Sequence, residues 1–105
     1  MSRYKLSRLA RIDLEEIWLD LARRATINVA DRIIDDITGC FSMLARMPQA
    51  GRIRPELEVD LRCFPVDDYL IYYRKAKRAG ILVSRVVHGR RDQLKALKSK
   101  ARKLR

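Results

Sequence analysis

The chain has little with which to bind a metal or build a disulfide framework. Its 105 residues include one histidine, His88, and two cysteines, Cys40 and Cys63. One histidine and no Cys/His cluster leave a structural zinc site without ligands, and no cofactor is expected. The cysteines fall in a predicted helix and a predicted strand, which favours buried free thiols over a disulfide. No run approaches the roughly 20 apolar residues of a membrane span. The segment Met1-Ser2-Arg3-Tyr4-Lys5 lacks the apolar core of a secretory signal, so a cytoplasmic location is expected. Acidic residues are scarce: 13 Asp and Glu face 24 Lys and Arg, a formal net charge of +11. Self-repulsion of that size opposes compaction and draws in anionic partners. Nucleic acid, an acidic protein segment and an anionic membrane surface all qualify. No repeat or linker marks a second domain, and a chain this short buries one core rather than two. An apolar content of 48% excludes wholesale disorder.

The first half reads as helical. Tyr4 to Leu6 form a short strand, and Ser7 is placed to cap a helix, its hydroxyl accepting from a first-turn amide. Ala10, Leu14, Ile17 and Leu21 then recur at helical spacing with Trp18 beside them. Asp13, Glu16 and Asp20 are assigned off that stripe. Arg23 and Arg24 close the last turn, where cations suit the helix dipole. Thr26 caps a second helix, in which Ala30, Ile33, Ile34, Ile37, Phe41 and Leu44 keep the period. Gly39 within it is expected to admit a closely approaching backbone, and Pro48 ends it. The short joint predicts an antiparallel helical hairpin.

The second half changes period. Residues 61–66, 69–75 and 81–88 are rich in Val, Ile, Tyr and Phe and read as a β-meander. Asp67-Asp68 and residues 77–80 supply the turns. The hairpin is expected to cover one face, because Ile71, Tyr73, Val83 and Val87 need burial, and the first strand is expected to join the same sheet. The fold class is therefore α+β: an N-terminal strand and a helical hairpin packed on a small antiparallel sheet. The body is expected to span residues 1–92. A basic tail, 93–105, follows, with Leu94 and Leu97 able to hold a short helix. Its lysines and arginines, from Lys95 to Arg105, read either as a solvated tail or as a polybasic arm for nucleic acid or an acidic partner.

An arginine accompanies nearly every strand: Arg52 and Arg54, Arg62, Arg74, then Arg85, Arg90 and Arg91. Taken in order, Leu6-Ser7, Ala10, Asp13-Leu14, Ile17, Gly51-Arg52, Arg54-Pro55-Glu56-Leu57, Leu61-Arg62, Phe64-Pro65-Val66, residues 69–74 and residues 85–92 resemble the ParE branch of the RelE/ParE toxin superfamily. The resemblance covers nearly the whole chain to Asp92. It implies a toxin of a type II toxin–antitoxin system. The partner would be a cognate antitoxin with a DNA-binding N-terminal part and an acidic C-terminal segment. ParE-like members are understood to inhibit DNA gyrase and RelE-like members to cut messenger RNA on the ribosome. The shared fold does not choose between these.

A RelE-type ribonuclease needs a base, cations at the phosphate and an acid. His88, Arg62 and Arg85 are the residues for that alternative. Against it, His88 reads as the end of the last strand, bonded to nearby backbone. Residues 47–57 lack a lysine-rich loop, and Tyr69, Tyr72 and Tyr73 read as sheet packing. The preferred expectation is gyrase inhibition by binding, with no catalytic residue. Arg52, Arg54, Arg62, Arg85, Arg90 and Arg91 would contact the target, and the tail would assist on nucleic acid. An arginine beside Glu56, Asp60 or Asp92 has a plainer reading as a surface ion pair worth under about 1 kcal/mol. Leu14, Trp18 and Leu21 are expected to meet the antitoxin, and a toxin–antitoxin hetero-oligomer follows. A non-toxic member acting only in autorepression is the third reading.

Overall fold

Ser7 organises the start of the chain. In the computed structural model, which describes residues 3–90, its hydroxyl accepts from the Ala10 amide at 3.0 Å and donates to the Ser84 carbonyl at 2.7 Å. One side chain therefore caps helix α1 (Arg8–Arg24) and ties it to the last strand. Thr26 likewise caps α2 (Ile27–Arg46), accepting from the Val29 amide at 3.1 Å. Only Ala25 and Thr26 separate the helices, and α2 folds back against α1. A 3-10 turn, Pro48–Ala50, follows α2. Arg91 and the 93–105 tail lie outside the described residues, as does the short helix expected there.

The strands are β1 (Tyr4–Leu6), β2 (Arg52–Ile53), β3 (Arg62–Val66), β4 (Tyr69–Lys75) and β5 (Ile81–His88). They form one sheet in the order β1-β5-β4-β3-β2. The meander is antiparallel as expected, and β1 joins the same sheet, but parallel to β5, so the sheet is mixed. Strand β2 was not foreseen. It has two residues and pairs Arg52 with Cys63 and Ile53 with Arg62. A segment that short carries no readable period.

The helices cover one face of the sheet. Ala10, Ile37, Phe41 and Leu44 pack there on Tyr69, Ile71, Tyr73, Ile81, Val83 and Val86. Val87 does not join them. It is buried on the opposite face with Leu61, Cys63 and Tyr72, beneath Leu57 and Leu70. The cause is a β-bulge: Tyr73 pairs with Val83 but Tyr72 pairs with Arg85, so Ser84 is an extra residue. One extra residue reverses the facing of everything after it. Val83 and Val86 therefore share the helix face, where strict alternation assigns Val87. Gly39 also departs from expectation. It is exposed, and a Cβ placed there would meet nothing within 4 Å, so no backbone approaches it.

Gly51 is where close approach does occur. Its amide donates to Tyr73 Oη at 2.8 Å, and that hydroxyl donates to the Pro48 carbonyl at 2.8 Å. Arg62 Nη1 donates to the Gly51 carbonyl at 2.8 Å. The exit of α2 is thus clamped onto β3 and β4. A Cβ at Gly51 would sit 2.3 Å from Tyr73 Oη, so only glycine fits without displacing a fully buried ring. Tyr73→Phe is expected to lose about 1–3 kcal/mol, because it orphans a buried amide and a carbonyl. Gly51→Ala is expected to lose more through overpacking. Urea unfolding midpoints check both, and a Gly51→Ala protein as stable as the parent would contradict the clamp.

Candidate functional site

The arginines singled out in the sequence fall in two regions of the sheet. Arg85 and Arg90, with His88, line a cleft of about 620 Å3 between α1 and the end of β5, together with Asp13, Glu16, Asp20, Arg24 and Tyr69. Arg52, Arg54 and Arg62 belong to β2, its following loop and β3, toward the other edge of the sheet.

Within the cleft, Arg85 is largely occupied. Its Nε donates to Asp13 Oδ2 at 2.7 Å and its Nη2 to Asp13 Oδ1 at 2.9 Å. Asp13 Oδ2 also accepts the Val86 amide at 2.9 Å. The two side chains are only 14% and 9% exposed. Hydrogen bonding to the Asp13 carboxylate raises the Arg85 pKa against the opposing pull of burial. Asp13 was assigned to the polar side of α1, and the structure corrects this: it is buried. The signal was available. Asp13 lies three residues after Ala10 and four before Ile17, which is stripe spacing. A carboxylate there calls for a buried cation.

His88 ends β5 edge-on to Tyr69, ring centroids 5.2 Å apart, and its Nδ1 accepts the Arg90 amide at 3.0 Å. Gly89 donates to the Asp68 carbonyl at 2.7 Å, closing the strand end. Arg90 itself is exposed. Across the sheet, Arg52 is exposed, and Arg54 Nε donates to Glu56 Oε2 at 2.7 Å. Arg74 pairs with Glu58. Residues 54–61 thus form a strap over the outer face, held by Leu57 and Leu61 and by the Glu58–Arg74 pair, with the Arg54–Glu56 pair internal to it.

Under the strap, Tyr72 is fully buried, and its hydroxyl, beside the Cys63 thiol, finds no nitrogen or oxygen partner. Burial first, then the thiol, pushes its pKa up to about 12. Burial likewise raises the Cys63 thiol. Cys40 and Cys63 are both free thiols.

On the helices, Leu14 packs against the core, and Leu14, Trp18 and Leu21 are each half-buried. Trp18 Nε1 donates to Asp31 Oδ1 at 2.8 Å, bridging α1 and α2. The exposed large apolar side chains of the hairpin are Ile12, Leu19 and Ile27, which the sequence reading passed over. Ile12 and Leu19 are seven residues apart and so share a face of α1.

Residues 4–93 match the family model described as the ParE toxin of type II toxin–antitoxin systems, parDE. The chain belongs to the ParE toxin family. Toxin ParE1 of Mycobacterium tuberculosis (strain CDC 1551 / Oshkosh) is 31% identical over 91 residues, covering 87% of this chain and 93% of the relative. Toxin ParE1 of Caulobacter vibrioides is 28% identical over 88 residues, covering 84% and 90%. Among solved structures, a chain of the chromosomal ParDE TA system from P. aeruginosa aligns with a TM-score of 0.71 at 21% identity, covering 84% of this chain and 96% of that one. That structural likeness shows the shared fold. No helix among the described residues is long and apolar enough to cross a membrane.

The buried Tyr72 hydroxyl yields a paired expectation. At neutral pH, Tyr72→Phe removes a hydroxyl without an oxygen or nitrogen partner and is expected to be neutral or stabilising. At high pH the parent should weaken. An unfolded tyrosine ionises near 10 and the folded one near 12. Its contribution is therefore complete below about pH 10 and is lost as pH rises through about 12. Stability measured across that window is expected to fall less steeply in Tyr72→Phe. Identical slopes would place the alkaline sensitivity elsewhere.

Proposed function

We propose that this ParE-family chain arrests growth by binding DNA gyrase in the cytoplasm, and that a cognate antitoxin neutralises it. The family match over residues 4–93 carries the toxin reading. The preference for binding over RNA cleavage rests on the state of the would-be catalytic groups. Both carboxylate oxygens of Asp13 engage Arg85. His88 Nδ1 is occupied by a backbone amide. Arg62 is on β3, two strands away, and donates to Gly51. A general base beside free phosphate-binding cations is the requirement these groups do not meet together.

Target contact is then assigned to the accessible cations. Arg52 and Arg90 are exposed. Arg54 and Arg62 are half-buried, and Arg91 and the basic tail extend the charge toward nucleic acid. Arg85, also named for target contact from the sequence, acts indirectly, by fixing α1 against β5. Antitoxin contact is assigned to the helix hairpin, with the half-buried Leu14, Trp18 and Leu21 on one side of α1 and the exposed Ile12 and Leu19 on the other. A +11 chain attracts an acidic antitoxin segment and accelerates its association.

Purified toxin with gyrase, supercoiled plasmid and ATP is expected to lose supercoiling or trap linear DNA, and antitoxin should reverse either effect. Arg52→Glu with Arg90→Glu is expected to weaken inhibition at least tenfold without changing the unfolding midpoint. Folded toxin that arrests growth but leaves gyrase untouched would shift the reading to messenger-RNA cleavage.

A further inference from the structure

Acidic residues are unevenly placed along the described chain. They lie on α1, α2, the 54–61 strap and the β3–β4 turn, and none falls on β1, β4, β5 or the turn joining β4 to β5. Cations do fall there. Arg3, Lys5, Lys77 and Arg78 are exposed, and among the described residues none of the four makes an ion pair.

The fold brings these four to one end of the sheet. Tyr4 packs on Phe41 of α2, ring centroids 5.3 Å apart, and Leu6 packs against the helix-side core. Strand alternation therefore turns Arg3 and Lys5 to the outer face, roughly 7 Å apart along the chain. The β4–β5 turn is fastened to the same place. The Ile81 amide donates to the Arg3 carbonyl at 3.2 Å, and the Ala76 amide to the Gly80 carbonyl at 3.0 Å. Gly80 has φ 79°, and a Cβ there would collide with the Arg3 carbonyl, so the turn that carries Lys77 and Arg78 closes directly on Arg3. Two nearby cations stand apart from this group. Lys75 pairs with Ile81, a member of the helix-side core, and so belongs to the other face. Arg74 shares an outer row with Leu82 and Lys5 but is held by Glu58.

We propose that Arg3, Lys5, Lys77 and Arg78 form a platform for the phosphodiester backbone of duplex DNA. Cations without internal partners can neutralise phosphates, and the counterions released then drive binding. The separation of Arg3 and Lys5 suits successive phosphates of one strand. Single-strand binding calls for exposed rings on which bases stack. Tyr4 is the one exposed large apolar side chain on these strands and their turn among the described residues, and it lies on the helix side against Phe41. The same lack of an apolar wedge disfavours a membrane surface. Contacts to phosphate carry no sequence preference. The platform goes beyond the gyrase reading and stands without it, since Arg52 and Arg90 lie elsewhere on the sheet.

The full chain and a short labelled DNA duplex, with no gyrase present, test this. Arg3→Gln, Lys5→Gln, Lys77→Gln and Arg78→Gln together are expected to weaken binding on the order of tenfold or more, and to lower the slope of log affinity against log salt by about 3–4. Arg11→Gln, Arg23→Gln, Arg32→Gln and Arg46→Gln together remove the same charge from exposed positions on the helices and should lower the slope by less than about 1. If the first set unfolds, Arg3→Gln with Lys5→Gln and Lys77→Gln with Arg78→Gln each test half the platform, with a slope change of about 2. Amide resonances of residues 3–5 and 77–80 should shift when duplex is added to the parent, and those of Asp67 and Asp68, at the other end of the sheet, should not. Equal losses from the two sets would show that net charge alone matters and would overturn the platform. A single strand bound more tightly than the duplex would overturn it too. So would loss of binding to phosphatidylserine vesicles with duplex binding intact, which would assign the face to a membrane.

Discussion

The buried ion pair between Asp13 and Arg85 joins the two halves of the molecule. Strand β1 pairs only with Ile81 to Val83, yet β5 continues to His88. Beyond Val83 the edge of β5 would present unpaired backbone groups. Two side chains from the α1 region meet that need: Ser7 donates to the Ser84 carbonyl and Asp13 accepts from the Val86 amide. The Ser84 bulge lies in the same stretch, and bulges commonly re-aim a side chain. Here Arg85 reaches the carboxylate on α1. A buried carboxylate with a guanidinium and an amide is satisfied, while either charge alone would be strongly destabilising. The placement of α1 on β5 and the shape of the cleft between them therefore depend on this pair, with the Ser7 bond beside it.

The same contact bears on how the positive charge is used. A net charge of +11 suggests a uniformly cationic surface, but several arginines have internal partners. Arg85 is structural, Arg62 holds the exit of α2, Arg74 holds the strap, and Arg54 is paired within it. Arg52 on β2 and Arg90 just after β5 remain exposed, toward opposite sides of the sheet. The arginines that accompany the strands are thus separated from one another, several of them held by internal partners. Such an arrangement suits contacts with extended anionic partners, which can reach several spots at once.

Periodicity made α1, α2, β1 and the meander readable, since each presents enough residues at period 3.6 or 2. Both helix caps were readable because Ser7 and Thr26 are short oxygen-bearing residues just before an apolar run. What escaped was set by tertiary structure. Strand β2 is too short for a pattern. The bulge is an insertion that only pairing reveals, and Val87 was placed on the wrong face because of it. Gly39 was read as a close approach although it is merely exposed, whereas Gly51, after the end of α2, is the packed glycine. The cationic residues were visible as a class, but sequence spacing could not tell which already had partners. Asp13 was legible from its place in the stripe, and charge led it to be put on the polar side.

The most direct measurement is a double-mutant cycle on Asp13 and Arg85, read by urea unfolding. The account expects Asp13→Ala and Arg85→Ala each to cost about 3–5 kcal/mol. The double variant should cost little more than either single one, because the second substitution removes an already unpaired charge. Additive losses, with a coupling near zero, would show that the pair does not hold α1 to β5, and the account would fail at its centre.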